Sequence, residues 1–311
     1  MIDQKHPTTG YVHNKAFLEH DLSFGHPESP ERLLQISKKL EETGLDKKLR
    51  DVEPVSGESE HLRAVHSSQH ISSVDGLTVT GGIARLAAAS ALGAVRDVCT
   101  GALTNAFCAI RPPGHHSHDN GGNYDGPGQG EGFCFYNNIA VAARYAQQYH
   151  GIKKVLIIDW DYHHGNGTEW SFYSDPTVLF FSTHEWYAYP GTGDPSRRGE
   201  GPGLGYNINA PLSSGCGDTD IIKAYQDLLI PAAQTFKPEL VLVSAGFDSR
   251  ENDPLGTFNI TDQGFFQLTR TVMQIAETYC NGRLVSFLEG GYNVQGVASA
   301  AASHIRALLG E

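Results

Sequence analysis

Five short runs of uninterrupted apolar residues constrain this chain more than any other feature: AFCAI (106–110), VLIID (155–159), TVLFFS (177–182), LVLVSA (240–245) and LVSFL (284–288). A half-exposed strand alternates polar and apolar residues. A run that is apolar throughout fits a strand covered on both faces, as in a parallel sheet between helices. Between these runs, the stretches 132–150, 219–236 and 261–279 carry apolar residues three and four apart, the spacing of a buried helix face. Thr219 and Thr261 stand where N-caps are expected. No linker, composition break or repeat divides the 311 residues, so they are expected to form a single α/β domain over 1–311, with the first 75 residues as helices and loops packed on it.

Parallel sheets collect functional groups where their strands end. Here AFCAI is followed by RPPGHH, VLIID by WDYHHGNG, TVLFFS by THEWYAYPGTG, LVLVSA by GFDSREND and LVSFL by EGGYN. Asp161 and His163, two apart in an extended segment, point to one side. Asp248, beyond another strand, could complete a set of one imidazole and two carboxylates. Such a set suits a divalent ion such as zinc and leaves a coordination position open. An isolated D-x-H more often caps a helix or pairs with loop amides. The convergence of five strand ends, with His115, His116 and Tyr292 at the same edge, favours the metal.

Composition narrows the partners. A net charge of −12 argues against a phosphate-binding surface, and so against nucleic acid, and is compatible with a cationic substrate. The opening residues have no apolar leader and no later stretch approaches a membrane span, so a cytoplasmic protein is expected. Five scattered cysteines without a CxxC pair indicate neither a disulfide framework nor a cysteine-based zinc site.

RPPGHH with GFCFYNN, IDWDYHHGNGT, STHEWYAYPGTGD, SAGFDSRENDPLG and LEGGYN, preceded by HPESPERL (26–33), resemble in order and spacing the zinc-dependent histone deacetylase family, particularly its class II-like branch with the bacterial amidohydrolases. The resemblance implies an arginase-deacetylase fold, with an eight-stranded parallel sheet flanked by helices on both faces, and hydrolysis of an acylated amine. It makes Asp161, His163 and Asp248 the ligands of one zinc ion per chain, and His115 and His116 the tandem histidines of general acid–base catalysis. Asp159 would orient His115. His116 would have Asn166 as its partner and so be the less basic of the two, although which histidine moves the proton is left open. Tyr292 would donate to the oxyanion. Gly132, Phe133, Tyr189, Leu255 and Gly290 would form the acyl-lysine tunnel, with neutral Leu255 where polyamine-selective members carry an acid. Ser182 and nearby main chain would hold a structural potassium ion, and His164 would be a packed histidine behind the site.

The same resemblance frames the alternatives. An arginase-like dinuclear manganese site would need a carboxylate where Gly165 stands. A silent acyl-lysine binder would not need the ligands and Tyr292 together. Deacetylation of acetylpolyamines or other small N-acyl amines is the closer rival, because 72–86 is shortened where relatives carry an aspartate that grips the substrate backbone, and Asp75 is the nearest substitute. The stretch 117–131 is longer than in relatives and would bring Asp119, Asp125 and Glu131 to the pocket mouth, where they would shape the rim, add acidity or touch another subunit of a homo-oligomer.

Overall fold

The computed structural model describes residues 8–20, 25–56, 58–120 and 131–311. Eight strands form one parallel sheet: β1 (Thr9–Val12), β2 (Arg50–Asp51), β3 (Asn105–Cys108), β4 (Val155–Asp159), β5 (Val178–Glu185), β6 (Asn207–Leu212), β7 (Leu240–Ala245) and β8 (Leu284–Leu288), in the order β2-β1-β3-β8-β7-β4-β5-β6. The five apolar runs are the five contiguous central strands, β3-β8-β7-β4-β5, in which every residue is buried. Because those strands are neighbours and parallel, their carboxyl ends form one unbroken row. That places the five polar segments side by side.

The helices are α1 (Glu31–Thr43), α2 (Glu58–Leu62), α3 (Ser68–Asp75), α4 (Thr80–Thr100), α5 (Asn138–His150), α6 (Asn166–Phe172), α7 (Asp218–Ala224), α8 (Ile230–Phe236), α9 (Asp262–Cys280) and α10 (Val294–Leu308). They fall into two packed groups around the sheet, α4 with α5, and α1 with α10 and α9. Phe107, Trp160, Phe180, Phe181, Phe247 and Phe265 are fully buried between sheet and helices. Among the described residues no helix is long and apolar enough to cross a membrane.

Three features depart from the reading of the sequence. The first 75 residues contribute two strands, β1 and β2, besides helices and loops, and β6 extends the other side of the sheet. Thr219 lies inside α7 rather than capping it; Asp220 instead reaches back to accept from the Gly217 N–H at 2.9 Å. The stretch 219–236 is helical throughout but passes through one π turn (Tyr225–Leu229) between α7 and α8. Pro231, which has no N–H to give and would crowd the carbonyl one turn back, accounts for that local widening. Thr261 does cap α9, accepting from the Gly264 N–H at 3.0 Å.

Candidate active site

β4 ends at Asp159, and the segment that follows turns two side chains inward. His163 Nδ1 lies 3.1 Å from Asp161 Oδ1 and 3.0 Å from Asp248 Oδ2, the latter carried past the end of β7. One ligand atom from each of the three residues falls within 4.8 Å of the others, and they are the only such group of metal-ligating side chains among the described residues. Both aspartates are fully buried. Burial pushes the Asp248 carboxyl up to about 7, reinforced by the charge of Asp161 and opposed by His163. Burial would raise Asp161 as well, but the charges of His115 and His163 outweigh it and hold Asp161 low. Burial would lower His163, yet its contacts with Asp161 and Asp248 lift it to about 10. Two buried carboxylates around one nitrogen thus call for positive charge at their centre, and a borderline divalent ion fits that donor set.

The backbone is cut to fit these carboxylates. The Gly290 N–H donates to Asp161 Oδ2 at 2.8 Å, and a Cβ on Gly290 would collide with Asp248 Oδ2. Gly290 is expected in the tunnel; it does not line the cavity and packs instead against Asp161 and Asp248, because the chain leaving β8 runs close to both carboxylates. Gly165 packs against the Asp159 carboxylate and brings no acid for a second ion.

His115 and His116 stand beside this group, 2% and 3% exposed, with ring centroids 4.1 Å apart. Their partners differ: His115 Nδ1 is 2.9 Å from Asp159 Oδ2, whereas His116 Nδ1 is 2.7 Å from Asn166 Oδ1 at the start of α6. Burial would lower His115, but Asp159, Asp161 and Glu289 raise it well above the usual imidazole range. Burial lowers His116, and the neighbouring His115 and His163 drive it lower still. Two adjacent imidazoles are therefore shifted in opposite directions, His115 toward its charged form and His116 toward its neutral form.

A cavity of about 510 Å³ opens onto this floor, lined by His116, Phe133, His163, Tyr189, Leu255 and Tyr292 together with Gly132. Gly132 and Phe133 both have positive φ (52° and 68°), in a turn closed by reciprocal 2.9 Å backbone bonds between Glu131 and Cys134. The conformation is strained for a phenylalanine. It sets the Phe133 ring edge-on to Tyr292, 6.0 Å away, while Tyr189 meets His116 edge-on at 5.0 Å. Burial and the charges of Asp248 and Asp161 push the Tyr292 phenol well above its usual range, so it remains a donor. A second cavity, of about 520 Å³, lies behind Asn166 and is walled by Trp170, Trp186, Tyr187 and Arg197.

The remaining residues singled out in the sequence fall around this cavity or away from it. His164 is buried, with its nitrogens 2.7 Å from Thr192 Oγ1 and 3.1 Å from Asn209 Oδ1. The Ser182 hydroxyl, beside Asp159 in register, meets His184 Nδ1 at 3.0 Å. Asp75 holds Arg85 with both carboxylate oxygens and takes no part in lining the cavity. Glu131, expected at the mouth, is buried and pairs with His118 at 2.7 Å. Asp119 lies beside the Asn120 backbone and side chain, and Asp125 falls outside the described residues.

Other residues at the site escaped the sequence reading. Buried Glu289, immediately after β8, accepts from the N–H groups of Gly114 (2.7 Å) and His115 (3.1 Å), fixing the backbone that carries the histidines. Arg32, from the HPESPERL stretch, donates to the carbonyls of Gly291 (2.6 Å) and Glu289 (2.5 Å), and its guanidinium lies 5.5 Å from the centre of the Tyr292 ring. Buried Glu28 binds both Arg32 and Arg111, tying that stretch to the start of RPPGHH.

Residues 26–308 match the histone deacetylase domain. Histone deacetylase 5 of Arabidopsis thaliana is 36% identical over 96% of this chain, which spans 49% of that relative's length. A probable deacetylase of Archaeoglobus fulgidus is 37% identical, with 93% of this chain and 82% of the relative aligned. The rice protein Histone deacetylase 10, chloroplastic (Oryza sativa subsp. japonica), is 48% identical over 66% of this chain and 44% of its own length. The chain thus spans about half the length of the plant relatives it matches. The crystal structure of the HDA15 HD domain is similar with a TM-score of 0.90 at 35% identity, covering 98% of this chain and 89% of that one. A parallel eight-stranded sheet of the arginase-deacetylase type, together with sequence likeness along nearly the whole chain, leads to one assignment: the chain belongs to the histone deacetylase family.

Proposed function

We propose that this protein is a zinc-dependent deacetylase that hydrolyses N-acetyl amides on the lysine side chains of peptides or proteins, with the whole chain acting as one catalytic domain. The observation that carries the reading is one cavity lined by His163, His116 and Tyr292, with Asp161 and Asp248 against His163 and His115 against His116. Asp161, His163 and Asp248 would hold one zinc ion, which would supply Lewis acidity toward the amide carbonyl and lower the pKa of water at the site.

The chain's own residues do the rest. Neutral His116, fixed by Asn166, takes the proton of the attacking water at its free nitrogen and returns it to the departing amine. His115, held protonated by Asp159, lends positive charge to the same step. Tyr292 donates its phenolic proton in a hydrogen bond to the developing oxyanion. Phe133 and Tyr189 flank an alkyl chain and keep water from the reacting amide. Neutral Leu255 at the rim favours acyl-lysine over a cationic polyamine.

A second reading, deacetylation of a small N-acyl amine, is favoured by one observation: both carboxylate oxygens of Asp75 are committed to Arg85, which removes the nearest candidate for gripping a peptide backbone. Specificity constants on acetyl-lysine peptides and N-acetylpolyamines separate the two. Peptide preference is expected, and a polyamine preference of about tenfold or more transfers the assignment to the second reading.

A further inference from the structure

The catalytic turn after β8 contains Gly290 and Gly291, the latter at φ 119°, so nothing in its own sequence makes it rigid. Its carbonyls are held from one side by Arg32. On the other side stands Asp253, a carboxylate that is 6% exposed and outside the metal-ligating group. Asp253 Oδ2 accepts from the N–H groups of Tyr292 at 2.6 Å and Asn293 at 2.9 Å, while Oδ1 accepts from the Leu255 N–H at 2.9 Å. A further bond, from the Asn293 side chain to the Asn252 carbonyl at 2.9 Å, closes the same seam. Among the described residues Asp253 forms no salt bridge; its carboxylate is met by three main-chain donors, with the charges of Arg32 and Arg250 acting on it without contact. Burying a carboxylate this way is costly, and an apolar side chain would fill the space more cheaply if filling were all that was required. The three donors it joins belong to the two loops that carry Tyr292 and the rim residue Leu255.

We propose that Asp253 is a positioning residue for the reaction: it sets the depth and direction of Tyr292 through the backbone, and ties that placement to the rim loop bearing Leu255. The inference rests on the oxyanion role of Tyr292 proposed above. Substrate contact at the rim and hydrogen bonding to the oxyanion then depend on one carboxylate.

The test uses the full chain loaded with zinc and an acetyl-lysine peptide. Asp253→Asn keeps the size but turns an NH₂ group toward one of the three N–H donors. The expected result is a kcat lower by about ten- to a hundredfold with unchanged zinc content, and a KM within about twofold of the parent. In a Tyr292→Phe background the same substitution should cost nothing further, because its effect runs through the missing hydroxyl. An equal loss in both backgrounds, a loss confined to KM, or an unchanged kcat overturns the proposal. Near-normal turnover by Tyr292→Phe alone would instead defeat the oxyanion role, so the two failures are distinguishable. Should Asp253→Asn not fold, amide exchange in the unaltered protein decides: slow exchange at Tyr292 and Asn293 is expected, and exchange at the rate of open loops overturns the clamp.

Discussion

The floor and the rim of the cavity are built by different means. On the floor, Asp159, Asp161, Asp248, His115 and His116 are at most 3% exposed, and each is held by a hydrogen bond from a neighbouring strand end or helix start. At the rim, Tyr189 and Leu255 are each 42% exposed and lie on loops. The floor inherits its geometry from four adjacent strands, β3, β8, β7 and β4, and should be as rigid as the sheet. The rim can change a side chain without disturbing the core, and the proposed function assigns selectivity to it. Substitutions on the floor should therefore cost rate or stability on every substrate, and substitutions at the rim should change the choice among substrates.

The largest effect is expected at Tyr292. Tyr292→Phe should lower kcat by about a hundred- to a thousandfold, roughly 3–4 kcal/mol, with zinc content unchanged by elemental analysis. A loss that varied strongly with substrate would break the comparison, since it would make Tyr292 a rim residue.

Glu169 tests whether the floor's wall is anchored from behind. It lies one turn along α6 from Asn166, accepts from Asn207 (2.9 Å) and Asn209 (2.7 Å), and pairs with Arg197 (2.6 Å). Burial would raise its carboxyl, but His164, Asn209 and Arg197 outweigh burial and hold it down at about 2. A folded-state pKa below the unfolded value means that the unfolded chain takes up the proton first. The stabilisation is full above about pH 4.5 and is lost as pH falls toward about 2. Glu169→Gln should cost about 3 kcal/mol in denaturant unfolding at pH 7. The gap should shrink below pH 4.5, the ordinary value for the group. A gap of constant size down to pH 3.5 would show the effect to be steric (about 1 pH unit of titration is needed to see the difference).

Asp159→Asn should lower kcat by about ten- to a hundredfold, because His115 loses the charge that keeps it protonated while its geometry survives. The companion Asn166→Asp should raise the basicity of His116 and move the acidic limb of the pH–rate profile to higher pH, since His116 must be neutral to accept a proton. An acidic limb that stayed in place would separate His116 from the proton transfer.

The smallest effect belongs to the rim. Leu255→Glu should shift the ratio of specificity constants toward N-acetylpolyamines by about tenfold, with little change in kcat on a small acetyl-lysine substrate. A collapse of turnover on every substrate would erase the distinction between floor and rim.

The parts of the molecule that were legible in its sequence are those where burial is uniform or a motif is dense. The five central strands stand out because both faces are covered, leaving no polar position to interrupt them. β2 is two exposed residues, and β6 mixes asparagine and proline with apolar residues on a partly exposed edge, so neither carries a pattern to read. The clustered residues Asp161, His163, Asp248, His115 and His116 could be picked out because they follow strands at fixed short distances. Glu289, Arg32 and Asp253 could not, because each acts on backbone N–H or C=O groups of distant segments, and a main-chain partner leaves no mark on the residue types. Gly290 was misplaced for a related reason: its neighbour Tyr292 faces the cavity, but the turn carries the glycine against the carboxylates.

Metal titration tests the central claim most directly. Protein stripped with a chelator should lose hydrolysis of an acetyl-lysine peptide and regain it linearly with added zinc, reaching a plateau at about one ion per chain. Activity that survives chelation, or that climbs until two ions are bound, would contradict the account.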